Sequence, residues 1–102
     1  MTDAFESLAD SERLLHESAR DPARAPAAAF AALRGLLMEW GVTPLGETVL
    51  ALLEQAAQTD DTLLHFRAEA AALDAPNAST QPESVERARI FVDAARARLA
   101  NI

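Results

Sequence analysis

With 102 residues, a formal charge of -7 and half of its residues hydrophobic, the chain is long enough for one domain with a modest core and short enough for a partner subunit to add burial. A surface of that sign repels phosphate backbones and disfavours general nucleic-acid binding. All nine basic residues are Arg and there is no Cys, which removes Schiff-base lysines, the lysine of a phosphate loop, disulfides, thiol catalysis and thiolate metal sites.

Ala supplies 24 residues and aromatics only five, so the core has to come from thin helices packed closely, and the expected class is all-α. Pro, Gly and polar clusters divide the chain into five helical segments. The first is predicted from Asp3 to Arg20, with Phe5, Leu8, Leu15 and Ala19 at helical spacing. It stops before Asp21-Pro22, because a residue preceding Pro avoids the helical region. Glu12 falls between Leu8 and Leu15 on that stripe, which predicts partial burial and an Arg partner such as Arg34. The second segment runs from Pro26 to Trp40 on Phe30, Leu33, Leu37 and Trp40. Gly41 supplies the left-handed residue that ends it, with Val42 packing back on Leu37. Phe30 and Trp40 are expected in the core. A third segment is predicted from Thr43 to Gln58 on Val49, Leu50, Leu53 and Ala57, its first turn weakened by Gly46. The fourth, Asp60 to Asp74, carries Leu63, Phe66, Ala70 and Leu73, with Asp60 and Asp61 at the positive end of the helix dipole.

The stretch LDAPNASTQPESVERA then interrupts the helices and reads as a connector. Within it Thr80-Gln81-Pro82-Glu83 has the form of a capping box, which starts the last helix near Gln81. That helix repeats Val85, Ala88, Val92, Ala95, Leu99 and Ile102 like a coiled-coil seam. At about 100 degrees per residue, Arg87 and Arg98 fall on one flank of the seam, and Arg89 and Arg96 on the other. Arg stems in such places cover apolar surface and pair with acidic neighbours. Ile90, Ala94 and Ala97 share the outer face with Glu86 and Asp93, a narrow apolar strip that is the candidate dimer contact. Short connections imply antiparallel neighbours. The expected architecture is therefore an up-and-down bundle of four to five antiparallel helices in a single domain over residues 1–102.

Both His have a carboxylate one turn earlier, Glu12 before His16 and Asp61 before His65. Such pairs share a helix face and can each give two metal ligands, but the Glu-x-x-His spacing of di-metal carboxylate bundles is missing. No metal and no cofactor are expected. Three scattered Gly form no phosphate cradle or nucleophile elbow. Ser18 does not face His16, because positions two apart diverge on a helix. The start MTDAFESLAD is acidic where a signal peptide needs a basic and then an apolar run, and no segment approaches the ~20 apolar residues of a membrane span. A soluble cytoplasmic protein is expected.

Three stretches between residues 27 and 99, AAAFAALRGLLMEWGVTPLGETVLALLEQA, DDTLLHFRAEAAALD and ESVERARIFVDAARARL, together resemble the HEPN family (higher eukaryotes and prokaryotes nucleotide-binding). The likeness lies in an Ala-rich helix ending in Gly, a Pro-containing turn, a helix continuing into leucines, a helix closing on a Leu-Asp pair, and the terminal helix. FESLADSERLLHESA is similar to the family's first helix. The residues that carry function depart from the pattern. Gly46-Glu47 stands where the family often has Gly-His, and APNASTQPE follows the Leu-Asp pair where many members carry Tyr and an Arg-Tyr-Pro tract. The ribonuclease members use an Arg followed four to six residues later by His, and no Arg here has that sequel. The resemblance implies a helical bundle that commonly dimerises and often pairs with a minimal nucleotidyltransferase encoded nearby, in the manner of bacterial toxin-antitoxin pairs. It transfers no catalytic residue.

Three readings follow. One is a non-catalytic HEPN-like module acting through homodimerisation and protein-protein contact. Another is a divergent HEPN ribonuclease or nucleotide-binding toxin, using Arg67 with His65 or Glu47 across a dimer cleft. The last is an unrelated helical adaptor. The candidate polar positions are Glu12, His16, Glu47, His65 and Arg67, and the candidate interface is Ile90, Ala94 and Ala97.

Overall fold

A long Ala- and Leu-rich helix lies at the centre of the fold. A computed structural model describes residues 4–99. The predicted start at Asp3 and the seam residue Ile102 lie outside the described residues. Within them the chain is all-helical, with five α-helices and no strand: α1 (Ala4–Ser18), α2 (Ala25–Glu39), α3 (Val49–Ala57), α4 (Arg67–Leu73) and α5 (Glu83–Leu99). Short 3-10 turns occupy Pro22–Arg24, Asp61–Phe66 and Ala78–Thr80. No helix among the described residues is long and apolar enough to cross a membrane.

Ala25, Ala28, Ala29, Ala32, Leu36 and Leu37 are all fully buried, so α2 is enclosed on nearly every side, and α1, α3 and α5 pack around it. Phe30 and Trp40 are half-buried and rest against the core rather than inside it. The stop at the end of α2 follows the prediction. Gly41 has a φ of 74°, its N–H bonds to the Met38 carbonyl at 3.1 Å, and the Val42 N–H bonds to the Leu37 carbonyl at 2.9 Å. On α5 the buried face is Ala88, Phe91, Val92, Ala95 and Leu99, with Val85 half-buried. It is wider than a coiled-coil seam because α5 meets α1, α2 and α4 at once. Phe91 meets Phe66 edge-to-face with ring centroids 6.1 Å apart.

The buried face of α1 corrects the sequence reading. It consists of Ala4, Ser7, Ser11, Leu15 and Ser18, whereas Phe5 is 57% exposed and Ala19 is exposed. Small side chains allow close approach to α2: a Cβ on Gly35 would stand 2.9 Å from the Ala4 carbonyl oxygen and 3.0 Å from the Ser7 Cβ. The hydroxyls tolerate burial because each has a partner: Ser7 donates to Met38 Sδ on α2 at 3.8 Å, and the other two bond locally. Ser11 donates to the Leu8 carbonyl at 2.6 Å and Ser18 to the Leu15 carbonyl at 2.5 Å. This rotation also corrects Glu12. Turned out of the core stripe, it is exposed and bonds Arg96 on α5 at 3.0 Å, not Arg34.

The third and fourth segments are shorter than their periodicity predicts. Residues 43–48 stay irregular because Gln55 satisfies their backbone, accepting from the Leu45 N–H at 3.1 Å and donating to the Thr43 carbonyl at 2.6 Å. The fourth segment opens with the Asp61–Phe66 turn, and only α4 is α-helical. The capping box does not form. The Thr80 hydroxyl donates to the Asn77 carbonyl at 3.0 Å, and α5 begins at Glu83. Ala78 is buried, and the Ser84 hydroxyl donates to its carbonyl at 2.7 Å, so the connector holds itself together by local bonds.

Candidate functional site

The first amides of α3 have no partner within their own helix and carry the positive end of its dipole. Thr48 Oγ1 accepts from the Ala51 N–H at 3.1 Å. Asp74, just past the end of α4, supplies the rest: one carboxylate oxygen accepts from Val49 N–H at 2.9 Å and the other from Leu50 N–H at 2.8 Å. A single charged side chain thereby fixes the end of α4 to the start of α3.

That junction forms one side of a cleft of about 430 Å³ between α1, α2 and the start of α3. Leu14, Phe30, Ala31 and Val49 give it apolar lining, and Asp10, Arg13, Arg34, Glu47 and Asp74 give it charge. The charged groups are not equivalent. Arg13 bonds Glu17 at 3.1 Å and stands 3.7 Å from Asp10, and both Asp74 oxygens are occupied by α3 amides. Glu47 is exposed. Arg34 differs from all of these: its Nε is shielded from solvent and has no hydrogen-bond acceptor among the described residues. The Arg34 side chain as a whole is half-buried, and it forms no ion pair among the described residues.

The residues singled out from the sequence are dispersed. Glu47 lines the cleft, while His65 and Arg67 do not. Both are exposed, and Arg67 bonds Glu54 of α3 at 3.0 Å. His16 is exposed on the outer face of α1, one turn after Glu12. Among the described residues no three His, Asp or Glu gather as a set that could hold a metal ion. Of the candidate interface, Ile90 and Ala94 are half-buried, Ala94 resting against the core, and Ala97 is exposed. The Glu12–Arg96 pair joins the outer faces of α1 and α5, and Arg96 also holds Asp93 at 3.3 Å.

Of the remaining arginines of α5, Arg89 lies 3.5 Å from the acid Glu86, whereas Arg87 bonds the neutral Gln81 at 3.3 Å rather than an acid. Arg98 bonds Asp60 at 2.8 Å, the Thr62 hydroxyl at 3.2 Å and the Ala94 carbonyl at 3.0 Å. The Thr62 hydroxyl first, and then the Arg98 guanidinium, hold the Asp60 carboxyl below its ordinary pKa.

Two residues of the cleft escaped the sequence reading. The spacing offers Arg34 as a partner for Glu12, yet a lone cation in the run LRGLL marks a charge inside an apolar helix. Asp74 reads in the sequence only as the end of a Leu-Asp pair, and nothing local says that its carboxylate caps a helix 25 residues earlier. Compared with known proteins, the chain matches no family model, no curated protein and no solved structure.

Proposed function

We propose that the chain is a non-catalytic HEPN-like module, an up-and-down bundle of antiparallel helices acting through homodimerisation and protein-protein contact, with a minimal nucleotidyltransferase as its class of partner. The observation that carries this reading is apolar surface on the joined outer faces of α1 and α5. Phe5 is 57% exposed, Ala97 is exposed and Ile90 is half-buried, on the two helices that the Glu12–Arg96 pair ties together. An aromatic ring left in water on a helix whose buried face is Ala, Ser and Leu is surface that a protein contact can recover. The placement of the polar candidates also favours contact over chemistry, because Glu12 and Arg67 are already engaged by Arg96 and Glu54. The HEPN element and the partner class rest on the resemblance of residues 27–99.

Size-exclusion chromatography with light scattering tests the dimer. The expected result is a dimeric mass for the native chain and a monomeric mass for Phe5→Ser and Ile90→Ser. A native chain that stays monomeric at all concentrations removes the homodimer. Co-expression with the nucleotidyltransferase of a neighbouring gene tests the partner, and separate elution of the two removes it.

A further inference from the structure

We infer that the cleft between α1, α2 and the start of α3 binds a compact organic monocarboxylate with an apolar body. The carboxylate is held by Arg34, and the body lies on Leu14, Phe30 and Val49. The starting point is that Arg34, half-buried in the cleft wall, has no acid within ion-pair distance among the described residues. The terminal nitrogens of a guanidinium offer a planar fork that a carboxylate fills with two parallel charge-assisted bonds. The acids already in the cleft do not do this. Asp74 is consumed by the Val49 and Leu50 amides, Asp10 lies beside Arg13, and Glu47 forms no ion pair with Arg34.

Those same acids restrict the ligand. Each further negative charge would face Asp10, Glu47 or Asp74 in a protein of net charge -7, so polyphosphates and multiply charged anions are rejected. A volume of about 430 Å³ lies within the ordinary range of small-molecule pockets and accommodates an aryl or branched aliphatic acid. Phe30, half-buried at the end of an apolar wall, gives such a body a ring to pack on. The inference does not depend on dimerisation, because every residue it uses comes from one chain.

The experiment titrates the full chain with phenylacetate, isovalerate and phenylacetamide, and follows backbone amides and the Arg34 Nε–H by heteronuclear NMR. Phenylacetamide keeps the shape of phenylacetate and removes the charge. The expected result is saturable binding of the acids, with shifts at Ala31, Val49 and the Arg34 Nε–H, and roughly tenfold weaker binding of the amide. In Arg34→Gln, acid and amide are expected to bind alike; in Phe30→Ala both weaken. Equal affinity of acid and amide for the native chain overturns the inference, as do shifts centred elsewhere or failure of both acids to saturate. If Arg34→Gln does not fold, the native Arg34 Nε–H decides, and a resonance unmoved by either acid overturns the assignment.

Discussion

At Asp60 one carboxylate receives the amide and the hydroxyl of Thr62 and the Nε of Arg98. Its pKa is lowered by these contacts, so the folded state binds a proton less readily than the unfolded chain. The resulting stabilisation is fully present above the ordinary carboxylate range near ~4 and is lost as pH falls through the lower folded value. Asp60→Asn keeps an acceptor for Thr62 and removes the charge that faces Arg98. Thermal unfolding should show the variant a few degrees less stable at neutral pH, with the gap closing in acid; a gap independent of pH would contradict this account. Close packing governs the neighbouring surface of α1 and α2. Gly35→Ala gains about 1 kcal/mol of helix propensity but forces a Cβ to within 2.9 Å of a carbonyl oxygen. Overpacking of that kind costs ~1–3 kcal/mol, so the variant is expected to be less stable in urea. Ser11→Ala removes only a bond to its own helix and should change stability by no more than about 0.5 kcal/mol. Hydropathy alone places Phe5 inside and the serines outside. The structure inverts that order because the distance between the two helices admits small side chains and rejects a ring.

Features set by distant residues were not legible in the sequence, and those set by neighbouring ones were legible only in part, since the Thr80–Glu83 capping box does not form. The stop of α2 at Gly41 depends on Met38, Leu37 and Val42 alone, and it forms where the spacing places it. The start of α3 depends on Gln55, Thr48 and Asp74, and that of α5 follows a connector folded around Ala78. Periodicity carries no information about such partners. Asp74→Ala should therefore cost ~1–2 kcal/mol, in the range of a lost helix cap. Faster hydrogen exchange at the Val49 and Leu50 amides would locate the loss, and unchanged protection there would assign the Asp74 bonds no role.

For the whole molecule, the all-helical class could be read from Ala and Leu at helical spacing, whereas the stripe Phe30, Leu33, Leu37 and Trp40 did not reveal that α2 is enclosed on nearly every side. The cleft could not be read, because its walls come from residues 10–34 and 47–74, which no local pattern joins. Overall charge makes its own prediction for the proposed dimer. Two copies carrying -7 each repel, and added salt screens that repulsion. Self-association measured by sedimentation should therefore strengthen as salt is raised, and weakening would mean that cross-chain ion pairs hold the contact instead.

The Asp74 bonds also have a topological meaning. Val49 and Asp74 lie 25 residues apart, and the bond between them closes the intervening chain into a ring fastened without a covalent link. The exposed Thr59, between α3 and the Asp61–Phe66 turn, lies on that ring. A protease that cuts the backbone there leaves one fragment ending in α3 and the other carrying Asp74, still fastened to each other and to the same core. The two fragments are therefore expected to co-elute after such a cut, held by the shared core and by the Asp74 bonds together.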